Sequence, residues 1–161
     1  MTRSMMLTMW FVVAAALFGT QTVSGQASDP RIGSWKLNVA KSTFTHGPAM
    51  KCGARTYEES RDGMISVTLK SVGADGKETT LMRSFKQDGK DYPINDSSGV
   101  DSISETRVNA NTAKYAEKKA GKVVLSGRRV LSKHGRMLTV TETGADETGN
   151  RIEETLVYER E

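Results

Sequence analysis

The feature that most constrains this chain is a period-two alternation of apolar and polar residues that returns in run after run from Trp35 to Tyr158. Trp35, Leu37 and Val39 alternate with Lys36 and Asn38; Ile65, Val67 and Leu69 alternate with Ser66 and Thr68. The same spacing joins Leu81, Arg83 and Phe85; Ile103, Glu105 and Arg107; Val123, Leu125, Gly127, Arg129 and Leu131; Leu138, Val140 and Glu142; and Ile152, Glu154, Leu156 and Tyr158. Residues two apart share one face of a strand, so each run predicts a strand with one apolar face. Arg55–Ser60 predicts a further strand. Ala113–Ala120 also suits a short helix capped by Asn111, but eight residues make a marginal helix, so it reads as a strand. Hairpin turns are expected at Ala74-Asp75-Gly76-Lys77, Asp88-Gly89, Asn109-Ala110-Asn111, Ala120-Gly121 and His134-Gly135, where Gly, Asn and Asp tolerate positive φ. Ala40–Gly53 is the one long irregular stretch. A meander of this kind must protect its two edges. Closure predicts an all-β fold, a single up-and-down antiparallel β-barrel of about 8–10 strands, with a sandwich as the alternative.

Residues 1–27 predict a signal peptide. Arg3 precedes the mostly apolar run Leu7–Gly19, and Gly25-Gln26-Ala27 supplies a cleavage site. The run is short for a membrane span, although an uncleaved anchor is the competing reading. Cys52 lies far beyond it, so no cysteine is placed to carry lipid at a new N-terminus. The expectation is a periplasmic or secreted protein whose domain is 28–161, with no stable membrane insertion of the mature chain.

Charge and cysteine content exclude several classes. A net charge of +4, with basic residues interleaved among acids, provides no footprint for nucleic acid. A single cysteine excludes an internal disulfide framework and a cysteine-rich zinc site. His46, His134 and Cys52 are the residues from which a nucleophile pair or metal site would have to be assembled. A separation of six residues in a loop, from His46 to Cys52, fixes no geometry, and His134 falls in a turn. The acid pairs Glu58-Glu59 and Glu153-Glu154 point to opposite strand faces. No glycine-rich loop leads into a helix that would hold a phosphate. The expectation is therefore no enzyme, no metal and no cofactor.

The opening Gly33-Ser34-Trp35 resembles the G-x-W of the first strand in lipocalin-like and fatty-acid-binding-like (calycin-type) barrels. The stretch Trp35–Phe44, with Asp75-Gly76-Lys77 and Asp88-Gly89-Lys90, is similar to a group of small secreted bacterial proteins of unknown function. The resemblance implies a lipocalin-like barrel whose floor is formed by Gly33 and Trp35, with an arginine from a late strand laid over the indole. Arg129 is the expected partner. Fatty-acid-binding barrels carry an R-x-Y on the last strand; here Leu156 stands in place of the arginine and Tyr158 matches.

One coincidence of parity points to function. Arg83, Arg107 and Arg129 each share a strand face with apolar residues, and Glu105, Glu142 and Glu154 have matching parity. If those faces point inward, the guanidinium groups need acids or a bound anion as partners. With Tyr158 they are the candidate ligand-binding residues. The expected function is binding of a small amphipathic or anionic ligand inside the barrel. The alternative is a non-enzymatic interaction module of the cell envelope, without a ligand cavity and with an unknown protein partner.

Overall fold

The computed structural model describes residues 28–45, 50–145 and 148–161. The expected signal peptide and His46 lie outside the described residues. Ten strands follow one another: β1 (Gly33–Leu37), β2 (Cys52–Glu59), β3 (Ile65–Val72), β4 (Glu78–Phe85), β5 (Asp88–Pro93), β6 (Ser102–Asn109), β7 (Thr112–Lys119), β8 (Lys122–Leu131), β9 (Met137–Ala145) and β10 (Arg151–Arg160). A 3-10 turn, Val39–Lys41, follows β1. Every pairing is antiparallel, in the order β4-β3-β2-β1-β10-β9-β8-β7-β6-β5. Neighbours in sequence are neighbours in space, and β1 closes onto β10. The result is a nearly closed up-and-down barrel.

The opening in the barrel lies between β4 and β5. The chain reverses there at Lys86 and Gln87, yet the two strands share no backbone ladder. Asp88-Gly89 is thus not a hairpin tip, as the sequence implies, but the start of β5. Gly89 takes φ 78° and the β5–β6 register slips between Asp88 and Asp91. Of the Ala113–Ala120 segment, all but Ala120 lies in strand β7. Its link to β8 is a two-residue turn with positive φ at both Ala120 and Gly121.

Period two decides what points inward. Trp35, Tyr57, Ile65, Val67, Phe85, Ile103, Tyr115, Leu131, Leu138, Val140 and Leu156 form the buried core. At Val124 the pattern breaks. The β7–β8 register shifts between Glu117 and Lys118, so β8 carries one unpaired residue. That bulge turns Val123 outward (57% exposed) instead of into the interior that its spacing implies.

One end of the barrel is sealed by residues 28–32. Trp35 is fully buried, and its Nε1 donates to the Arg31 carbonyl at 2.8 Å. The cation over its ring is Arg160, 4.2 Å from the centroid, not Arg129. Arg160 also donates to the carbonyls of Gly135 (2.8 Å), Ile32 (2.9 Å) and Pro30 (2.6 Å), tying the last strand to the segment that closes the floor. Gly33 has φ 122°, and a Cβ there would lie 3.0 Å from Arg160 Nη1, so glycine leaves room for the clamp. Arg160→Ala is expected to cost about 2 kcal/mol by urea denaturation, from the lost carbonyl bonds and ring contact. Arg160→Lys should recover less than half of it, because one ammonium cannot reach three carbonyls in a planar fork.

Candidate functional site

The interior is unusually ionic for a small barrel. Glu105 has no exposed surface and lies between two buried guanidinium groups. Arg31 Nη2 donates to it at 2.7 Å and to Asp29 at 2.7 Å, and Arg129 Nη1 pairs with its other oxygen. Gln87, from the turn after β4, donates to Glu105 at 2.9 Å. Burial pushes the Glu105 carboxyl up, but Arg129, Arg31 and Gln87 outweigh it and hold the group below its ordinary value. Asp29 is held low in the same way against its burial by Arg31. Arg129 Cζ lies over the Tyr115 ring, 3.6 Å from its centroid, and 5.7 Å from the Phe85 centroid. Tyr115 in turn needs Gly127 opposite it, since a Cβ there would meet the phenol at 2.5 Å.

A second layer lies toward the other end. Arg83 reaches from β4 across the opening to Glu117 on β7 and to Asp96 at 3.3 Å. Arg55 lies 3.6 Å from Glu142 and 4.9 Å from the Tyr158 ring centroid. Glu142 also accepts the Tyr115 hydroxyl. Glu154 sits opposite Glu142 in the β9–β10 register. Burial, reinforced by the Glu142 charge, raises the Glu154 carboxyl above its ordinary value. Burial likewise raises Glu117, with Arg83 opposing and Glu142 adding to the shift.

Above this layer the barrel opens. A pocket of about 280 Å³ is lined by Ser98, Val100, Glu117, Leu125 and Ile152, with Val124 brought alongside by the bulge. It lies among the β5–β6, β7–β8 and β9–β10 connections, at the end opposite Trp35.

The residues singled out from the sequence are dispersed. Arg83 is buried beneath the pocket with two carboxylate partners, and Arg129 is buried near the floor. Arg107 has the inward parity of Ile103 and Glu105, but it is half-buried and donates to the turn carbonyls of Asn109 and Ala110 at 3.4 Å each. Tyr158 lies under Arg55. Cys52 is exposed at the start of β2, and His134 is exposed in the β8–β9 turn at the other end of the barrel. Sequence reasoning missed Arg31, Arg55, Asp96 and Glu117. Arg55 and Glu117 share strand parity with Tyr57 and Tyr115, which is a readable signal; Arg31 and Asp96 lie outside strands and have none.

No family model matches the chain, and no curated protein matches it. Solved structures do. The fluorescent protein UnaG superposes with a TM-score of 0.57 at 18% identity, over 81% of this chain and 96% of that one. A Schistosoma mansoni fatty acid binding protein in complex with arachidonic acid gives 0.58 at 13% identity, over 82% and 96%. A zebrafish ileal bile acid-binding protein complexed with cholic acid gives 0.52 at 9% identity, over 82% and 99%. The fold is that of the calycin-type, fatty-acid-binding-like barrels. Among the described residues no helix is long and apolar enough to cross a membrane.

Two measurements test this interior. Glu105→Gln leaves Arg31 and Arg129 without their shared carboxylate in a buried site, and is expected to destabilise by about 3–5 kcal/mol in urea. Glu154 behaves in the opposite sense. A carboxyl whose folded pKa lies above its unfolded value takes up protons on folding, so stability falls as pH rises through that interval. Glu154→Gln should therefore raise the melting temperature near pH 8, and the gain should vanish at about pH 3.5, where the parent carboxyl is protonated in both states.

Proposed function

We propose that this chain is a non-enzymatic binder of one small, mostly apolar organic molecule, held in the pocket at the open end of the barrel. The pocket itself carries the reading. Val100, Val124, Leu125 and Ile152 supply an apolar wall, Glu117 and Ser98 supply polar contacts, and the volume of about 280 Å³ is near the lower end for organic ligands. The position agrees with barrels in general, which take ligands at their mouths. Solved proteins of the same fold hold arachidonic acid and cholic acid, which supports a binding role. The ligand is smaller than those, because side chains and ion pairs already fill the lower barrel.

The reading extends to place. We propose that residues 1–27 direct export and that binding occurs in the periplasm or outside the cell. The support is the apolar run after Arg3 and the small residues before Ser28. An envelope interaction module is the second reading, favoured by the unpaired edges of β4 and β5 and by Met82, 66% exposed on β4.

The neutral dye N-phenyl-1-naphthylamine tests the pocket. The folded protein is expected to enhance its fluorescence saturably, at one dye per chain, and to melt higher in its presence. Ile152→Trp, which fills the mouth, should abolish the enhancement while the protein stays folded. Absence of dye uptake by the folded parent would leave the interaction module as the better account.

A further inference from the structure

The charges beneath the pocket carry an inference about the ligand, one that rests on the binding reading above. Four acidic side chains face the upper interior: Asp96, Glu117, Glu142 and Glu154. Two guanidinium groups face them. Arg83 divides itself between Glu117 and Asp96, and Arg55 lies beside Glu142. Glu154 has no cation and no hydrogen-bond partner among the described residues, although it is half-buried and opposite Glu142. Lys119 stands at the pocket rim, but it already has an interaction of its own.

Glu117 forms part of the pocket wall, and Glu154 lies one step below Ile152 on the same face of β10. Both carboxyls are held above their ordinary values, chiefly by burial. A carboxylate ligand seated here would add negative charge to a place where the protein's own acids resist ionisation. A cation would offset it, and in this partly desolvated setting the attraction exceeds its value in water. The buried donors that lack a protein partner, Arg31 Nη1, Arg55 Nε, Arg129 Nε and Tyr57 Oη, do not line this pocket.

We propose that the ligand is a compact amine with an apolar body, its ammonium group set against Glu117 in the pocket wall, its body against Val100, Val124, Leu125 and Ile152, and the unpaired Glu154 carboxylate below the pocket adding to the negative potential. The barrel thus selects a cationic nitrogen where the arginine parity alone points to an anion.

The test uses three probes of matched chain length: decylamine, 1-decanol and decanoate. Each displaces N-phenyl-1-naphthylamine from the folded protein near neutral pH and at low salt. Decylamine is expected to bind about 10-fold more tightly than 1-decanol, with decanoate weakest. Glu117→Gln and Glu154→Gln should each pull the amine-to-alcohol ratio toward one. Glu154 has no partner to lose, so its variant keeps the test valid if Glu117→Gln fails to fold. Decanoate matching or exceeding decylamine would overturn the proposal, as would a ratio that both substitutions leave unchanged. If 1-decanol and the dye bind but the amine gains nothing, the charge assignment alone fails. If the dye and all three probes fail to bind, the binding function fails and this proposal with it.

Discussion

A single carboxylate without solvent access, Glu105, organises the floor of this barrel. It holds Arg31 from the segment before β1, Arg129 from β8 and Gln87 from the turn after β4. Three parts of the chain that are remote in sequence thus meet on one side chain. Its energetic role is asymmetric. Forming the triad requires desolvating two cations and an anion, so its net stabilisation is small, but removing the anion leaves two buried positive charges. The same asymmetry enforces register. A slip of one residue in β6 would carry Glu105 to solvent, leave Arg129 without its carboxylate and Arg31 with Asp29 alone, so the ion network penalises the misaligned barrel more than apolar contacts alone would.

The opening between β4 and β5 is spanned by side chains instead of a backbone ladder. Arg83 crosses it to Glu117 and Asp96, and Gln87 crosses it to Glu105. Mechanical closure and interior electrostatics are therefore the same set of contacts. Much of the lower barrel is occupied by these pairs and by Tyr57, Tyr115 and Phe85, and the pocket lies beyond them at the open end. The bulge at Val124 completes that volume. It rotates the start of β8 by one residue, exposes Val123 and adds Val124 to the wall beside Leu125.

The strands were legible because each has one buried face, and burial imposes period two directly on the residue order. Where that condition lapses, sequence reading failed. β5 has no buried run beyond a half-buried Tyr92, so its Asp88-Gly89 looks like a hairpin tip. Val123 fits the alternation of β8 but sits past a bulge, which nothing in the residue types announces. The Trp35 cation shows the same limit. Arg129 and Arg160 both have inward parity on late strands, and only strand tilt and chain closure place Arg160 over the indole while sending Arg129 to Tyr115 and Glu105. The inward arginines were readable as a class; their partners were not, since Arg31 and Asp96 lie in irregular segments.

By itself the sequence determined that this chain makes a meander of antiparallel strands with charged residues on its inner face, because alternation and turn chemistry are local properties. Only the tertiary structure decided which charges neutralise one another, where the barrel remains open and which carboxyls are left over beneath the pocket. Those outcomes depend on distances across the barrel, set by register, by one bulge and by the closure of β1 on β10, and no short stretch of residues encodes them.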